Sequence, residues 1–173
     1  MQVTKRFRVD AAPESVWQAL GPGYAEADKW ASGVFVSTAR EGTPKVDAPM
    51  LGRICQSSIG PITETIEVYD STRRRLVYSA KADKMPGFVS NLQNGWEVTA
   101  AKGGGSDVTM RLTADLAFPF NLLMGVPMKL QFSRLLGQSA EEFRHWVETG
   151  TQHPRKRKVD AGKAAMAARA AAA

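Results

Sequence analysis

Residues 127–150, PMKLQFSRLLGQSAEEFRHWVETG, decide the fold. Met128, Phe132, Leu135, Leu136, Phe143, Trp146 and Val147 recur at helical spacing, with Lys129, Arg134, Glu141, Arg144 and Glu148 on the other faces. Pro127 suits a first helical turn, where its missing N–H would be unpaired anyway. Gly150 suits the position just past the end, where a left-handed residue is wanted. The spacing predicts a helix of about six turns with its own start and stop signals. One side is too apolar to stand alone, so the helix needs a surface to lie on.

The residues before it supply that surface. Val108, Met110, Leu112, Ala114, Leu116 and Phe118 alternate with Thr109, Arg111, Thr113, Asp115 and Ala117, which predicts a strand with one apolar face. Gly103-Gly104-Gly105 supplies positive φ for a hairpin back to a strand over 91–101 that carries Trp96 and Val98. Met85-Pro86-Gly87 breaks the chain ahead of that strand. Further strands are expected over 76–82, 62–69, 51–57, 33–39 and 3–9. Short helices from Ala12-Pro13-Glu14 and over 25–31 fall between the first two strands. The rhythm is a meander rather than βαβ, with no internal repeat. The expected fold is α+β: a curved seven-stranded antiparallel sheet wrapped around one long C-terminal helix.

Composition sets outer limits. The 173 residues are 43% hydrophobic and 23% charged, ordinary globular material. The single cysteine, Cys55, cannot form an internal disulfide, which fits a reducing compartment. The opening MQVTKRFRVD lacks the apolar core of a signal peptide, and no stretch approaches the ~20 apolar residues of a membrane span. A cytoplasmic protein is therefore expected.

The net charge of +6 is concentrated in residues 151–173, which hold six basic side chains and one acid. The body, residues 1–150, is nearly neutral. The basic, Ala-rich tail is expected to be disordered, and to touch nucleic acid weakly at most. His145 and His153 are the only histidines, so no metal site is expected, and no cofactor.

Two charges stand out within the sheet. With residues 58–61 as a loop, Cys55 is expected to face Glu64, and Arg53 to face Ile66, on one side of the sheet. Glu64 then interrupts an inward row of Ile62, Ile66 and Val68, with Arg53 diagonal to it and Tyr69 on the other face. A buried carboxylate needs a partner. The pair is either a structural salt bridge or the polar end of a cavity, where Arg53 grips an oxygen and Glu64 orients it or moves a proton. Tyr78 shares the inward side, as a hydroxyl or as aromatic filler. Gly137, mid-helix, suggests room for a close approach or a ligand. Trp96, Met110, Leu112, Phe118, Met128, Phe132 and Leu136 would surround such a space, with Phe88 as a lid.

The pattern resembles the START/Bet v 1 helix-grip superfamily, and within it the bacterial polyketide cyclase/dehydrase and lipid-transport group. The resemblance rests on Pro13 to Trp17, Trp30, Gly52-Arg53-Ile54-Cys55, Glu64 to Asp70, Tyr78 and Pro86, and covers about residues 2–149. Plant relatives such as lachrymatory-factor synthase are similar. The Arg and Glu of synthase-like members match Arg53 and Glu64, at a shorter spacing here. The resemblance implies a monomer or homodimer that binds a small lipid, polyketide-like or isoprenoid-like molecule between sheet and helix. The alternative is a cyclase, dehydratase or isomerase using Arg53, Glu64 and Tyr78. A third reading is a macromolecular adaptor acting through the basic tail.

Overall fold

The computed structural model describes residues 1–172. β1 (Gln2–Val9) is followed by α1 (Pro13–Leu20) and a 3-10 helix (Tyr24–Lys29). Six strands come next: β2 (Val36–Ala39), β3 (Gly52–Ser57), β4 (Gly60–Asp70), β5 (Arg75–Ala82), β6 (Val89–Ala100) and β7 (Ser106–Leu116). α2 (Phe120–Leu123), α3 (Gly125–Thr149), α4 (Pro154–Asp160) and α5 (Lys163–Ala172) complete the chain. The strands form one antiparallel sheet in the order β1-β7-β6-β5-β4-β3-β2. This is the expected seven-stranded sheet with a long helix across it.

Local chemistry accounts for the element boundaries. Pro13 opens α1, Glu14 lies in its first turn, and Val16, Trp17 and Leu20 are its buried side. Gly150, at φ 67°, ends α3 and returns its N–H to the Trp146 carbonyl. Gly103, Gly104 and Gly105 all hold positive φ in the β6–β7 hairpin. Phe143, fully buried, wedges edge-on between Trp30 (5.1 Å) and Trp96 (5.2 Å). Burying a side chain of this size contributes roughly 1.5–3 kcal/mol.

Three features differ from the sequence reading. First, the apolar stripe of α3 is used only in part. Leu136 and Phe143 are buried, but Leu135 is exposed, and Met128, Phe132, Trp146 and Val147 are half-buried. Periodicity locates an apolar side but not how far along it the sheet reaches. Second, a β-bulge lies between Ile66 and Val68 in the β4–β5 pairing. The extra residue reverses the alternation, so Tyr69 turns inward against Trp17 (5.2 Å) and Val68 pairs with Val77 on the outer face.

Third, the tail expected to be disordered forms α4 and α5, which pack back on the domain. Lys156 is fully buried, and its Nζ donates to the Val34 carbonyl (2.8 Å) and Asp160 Oδ1 (2.7 Å). Arg155 bridges Glu141 and Glu142, while Glu142 accepts from both the N–H and the hydroxyl of Ser32. Arg169 pairs with Asp160. In one dimension the run is an unpaired block of cations. In three, Glu141 and Glu142 of α3 meet Arg155, and Asp160 within α4 meets Lys156 and Arg169, while Arg157, Lys158 and Lys163 stay exposed. Among the described residues, no helix is long and apolar enough to cross a membrane.

Candidate ligand-binding site

The site begins where β3 and β4 approach most closely. A Cβ on Gly52 would lie 2.0 Å from the Glu64 carbonyl oxygen, so only glycine fits. Arg53 then stands directly opposite Glu64, and Cys55 opposite Ile62. The expected register was two residues off. The turn is only Ser58-Ile59, closed by Gly60 at φ 98° and by the Ser57 hydroxyl, which donates to the Gly60 carbonyl. A shorter turn converts the expected diagonal pair into a direct one. Arg53 and Glu64 are both buried, and the Arg53 Nε–H donates to Glu64 Oε2.

Tyr24, from the 3-10 helix, completes the pair. Its hydroxyl donates to the same Glu64 Oε2 (2.7 Å), its carbonyl accepts from Arg53 Nη1 (2.6 Å), and its ring lies 4.2 Å beneath the guanidinium carbon. The Tyr78 ring is 5.2 Å from that of Tyr24, and Asn94 Nδ2 donates to the Tyr78 hydroxyl (2.9 Å). Both protein donors reach Oε2, which leaves Oε1 free to accept. Burial pushes the Tyr78 phenol up to about 12, and it raises the Tyr24 phenol too, with Glu64 adding to both effects. Both tyrosines therefore stay neutral hydroxyls. Burial opposes the charge on Arg53, but Glu64 outweighs it and holds the guanidinium well above its usual range. Cys55 is buried, and burial raises its thiol, as befits a small packing residue.

Sequence reasoning missed Tyr24 and Asn94. Nothing in the linear pattern of Gly23-Tyr24-Ala25 marks Tyr24, since a 3-10 helix carries no long periodicity. Asn94 was legible: counting back by two from Val98 and Trp96 puts a polar side chain in an apolar row.

The enclosed space beside these groups is small. Tyr24, Trp30, Arg53, Tyr78 and Trp96 wall a void of about 20 Å³, room for one water-sized atom. The ligand-sized cavity expected there is filled by Trp30, Trp96 and Phe143. Larger concave space lies on the outer face, as a groove of about 880 Å³ whose lining includes Arg40, Lys45, Glu67 and Lys81, too charged for an apolar molecule. Past Tyr78 the inner face is only partly covered. Ile62, Ala80, Ala82 and Asn94 are half-buried, Ala80 and Ala82 also bordering the outer groove, and Met128 and Phe132 of α3 are half-buried as well.

The other expected lining residues divide. Trp96, Met110, Leu112 and Leu136 are buried core. Phe88 is half-buried and stacks on Phe120, with ring centroids 4.4 Å apart. Phe118 is 78% exposed rather than turned into the core. β7 ends at Leu116, and Pro119, with no N–H to continue a ladder, turns the chain into α2, so the alternation stops short of Phe118. Gly137 marks no close approach: a Cβ there would meet nothing within 4 Å.

An antiparallel sheet gripping a long C-terminal helix is the helix-grip fold of START and Bet v 1 proteins. More narrowly, the chain belongs to the family described as polyketide cyclase / dehydrase and lipid transport, which it matches over residues 1–148. Among solved structures it is similar to a START superfamily protein from Mycobacterium smegmatis (TM-score 0.68, 12% identity, 87% of this chain and 99% of that one). It is also similar to the protein XoxI from Bacillus cereus (TM-score 0.64, 18% identity, 86% and 94%). A third is Ara h 8.0201 (TM-score 0.59, 14% identity, 85% and 97%). At these identities the likeness is one of fold. No curated protein sequence matches the chain. The family match stops within the last turn of α3, so α4 and α5 lie beyond it.

Proposed function

We propose that this protein binds a small hydrophobic molecule, of lipid, polyketide-like or isoprenoid-like class, against the inner face of the sheet beneath the first half of α3. The observation that carries this reading is the uneven cover of that face. The second half of α3 seals the core with Leu136, Ala140 and Phe143, while Ile62 on the sheet and Met128 and Phe132 on the helix keep part of their surface open. An apolar body laid there removes that surface from water, at about 25 cal/mol per Å². Its polar end reaches Glu64 Oε1 and the tyrosine hydroxyls. Entry needs the first half of α3 and the Phe88–Phe120 stack to swing outward, since the space is shallow as it stands. The family's description, which couples cyclase/dehydrase activity with lipid transport, supports an apolar ligand.

Glu64 Oε1 also favours a second reading, a cyclase, dehydratase or isomerase in which Glu64 moves a proton. Arg53 is poorly placed to help, because Nε and Nη1 are committed to Glu64 and to the Tyr24 carbonyl. In that reading Glu64→Gln abolishes turnover of a bound molecule and leaves its affinity unchanged.

Native mass spectrometry of the freshly purified chain, followed by denaturation and analysis of the released molecules, tests the binding reading. The expected result is a stoichiometric apolar compound, or saturable binding of 1-anilinonaphthalene-8-sulfonate to the emptied protein. The absence of both a released compound and saturable dye binding would overturn it.

A further inference from the structure

The segment that leads from β7 into α3 leaves its apolar side chains outside the core. Phe118, Leu122, Leu123, Val126 and Leu130 are all exposed, Leu122 at 72% and Val126 at 69%. The Met124 N–H donates to the Phe120 carbonyl (2.8 Å) and the Met128 N–H to the Met124 carbonyl (2.9 Å), so helical hydrogen bonding runs across the α2–α3 junction. Leu122 and Leu123, then Val126, then Leu130 therefore follow one another at helical spacing and form a single stripe. Apolar residues scattered singly over a surface are normal, but a continuous stripe of them marks an interaction surface.

The charge around the stripe has one sign. Between Asp115 and Glu141 the only charged residues are Lys129 and Arg134. Two dents meet at Leu130. Val126 and Lys129 line one, Arg134 and Leu135 line the other, and among the described residues no acid lines either. A protein partner suits this surface poorly, because a stable protein interface uses roughly 20–30 residues a side and a set of hydrogen bonds. The stripe is smaller than that, and Asn121 is the one polar side chain from Phe118 to Met128. A bilayer surface asks for less: a short apolar stripe that enters the acyl boundary, and cations that meet anionic head groups.

We infer that α2 and the first turns of α3 dock this protein on an anionic lipid bilayer, with Phe118, Leu122, Leu123 and Val126 entering the interface and Lys129 and Arg134 at head-group level. The stripe is exposed rather than part of the inner face of the sheet, so this inference has its own evidence and does not rest on the hydrophobic-ligand reading. Where both hold, the docked surface is the half of α3 that must move for a ligand to enter.

The test is co-sedimentation of the full-length chain with vesicles of phosphatidylcholine alone or mixed with phosphatidylglycerol. The expected result is binding to the mixed vesicles at least about tenfold tighter than to the neutral ones, from two cations at the surface. Leu122→Ser with Val126→Ser, checked for an unchanged thermal midpoint, weakens that binding at least about tenfold. Lys129→Gln with Arg134→Gln removes the preference for the anionic lipid. An environment-sensitive fluorophore attached at Leu122→Cys shifts to the blue on binding, and at Thr72→Cys, in the β4–β5 turn at the other end of the sheet, it does not. Equal binding to the two kinds of vesicle, or binding to neither, overturns the inference. Binding to mixed vesicles that survives Leu122→Ser with Val126→Ser and leaves the Leu122→Cys fluorophore unshifted also overturns it, as adsorption through exposed cations such as Arg157 and Lys158. A dimer abolished by the same two substitutions, in a chain that ignores vesicles, assigns the stripe to a second copy instead. None of these outcomes alters the released-compound and dye measurements, so the ligand reading stands or falls separately.

Discussion

Glu64 and Arg53 occupy inward positions in a sheet whose other inward residues are mostly apolar, and the strands hold them directly opposite one another. A buried ion pair contributes little net stability against a well-packed apolar pair, but breaking it by half leaves an uncompensated charge. Glu64→Leu alone is therefore expected to cost about 3–5 kcal/mol, and the double change Glu64→Leu with Arg53→Met much less. Urea denaturation of the parent chain, both single variants and the double checks this; a double loss equal to the sum of the two single losses would show that the charges do not interact. Gly52→Ala should abolish folding, since its Cβ would collide with the Glu64 carbonyl. The tyrosines add a dependence on pH. Tyr78 titrates near 12 in the folded chain against an ordinary value of 10.0. Folding favours its protonated form, so that contribution is complete below pH 10 and is lost as pH rises towards 12. The upward shift corresponds to about 2–3 kcal/mol. Denaturation from pH 8 to 11.5 should show stability falling above pH 10, with a shallower fall in Tyr78→Phe.

α3 is one continuous helix with two unlike halves. Its exposed positions Leu130 and Leu135 should tolerate glutamine within about 0.5 kcal/mol. Leu136→Ala and Phe143→Ala should each cost about 2–5 kcal/mol, because they empty space in the sealed half. Thermal or urea unfolding separates the two groups; similar losses in both would mean that the first half packs as tightly as the second. Gly137 carries the ordinary helix penalty with nothing to justify it sterically, so Gly137→Ala should stabilise the chain by about 1 kcal/mol. A halved helix of this kind suits a ligand-binding role: one end anchors the element, and the other can move without unfolding the core.

At the scale of the whole molecule, α4 and α5 pack back on the domain, α5 beside β2. They fasten the loop after the 3-10 helix, through the Val34 carbonyl, to the sealed half of α3, through Glu141 and Glu142. Removal of residues 151–173 exposes the Glu142 carboxylate and deprives the Val34 carbonyl of its donor. Truncation should lower the thermal midpoint and protect the Ser32–Phe35 segment less in hydrogen exchange. Lys156→Met, which keeps the apolar stem and removes the charge, isolates the part due to the buried ammonium. An unchanged midpoint on truncation would show that the tail rests on the domain without supporting it.

Period and punctuation in the sequence were enough for the elements and their order. Alternation from Val108 to Leu116, the triple glycine and the capped helix ending at Gly150 are local signals, and each holds in the structure because neighbouring residues alone decide it. The inward placement of Arg53 and Glu64 was legible for the same reason. The tertiary structure decided whatever depended on residues far apart in the chain. The tight Ser58-Ile59 turn set the Arg53–Glu64 register, and the bulge after Ile66 reversed Tyr69 and Val68. The 3-10 helix delivered Tyr24 to a carboxylate forty residues away. Glu141 and Glu142 on α3, the Val34 carbonyl and the tail's own Asp160 turned the basic run into packed helices. Each of these is a matter of which surfaces meet and where a charge finds its partner, and no one-dimensional period encodes that.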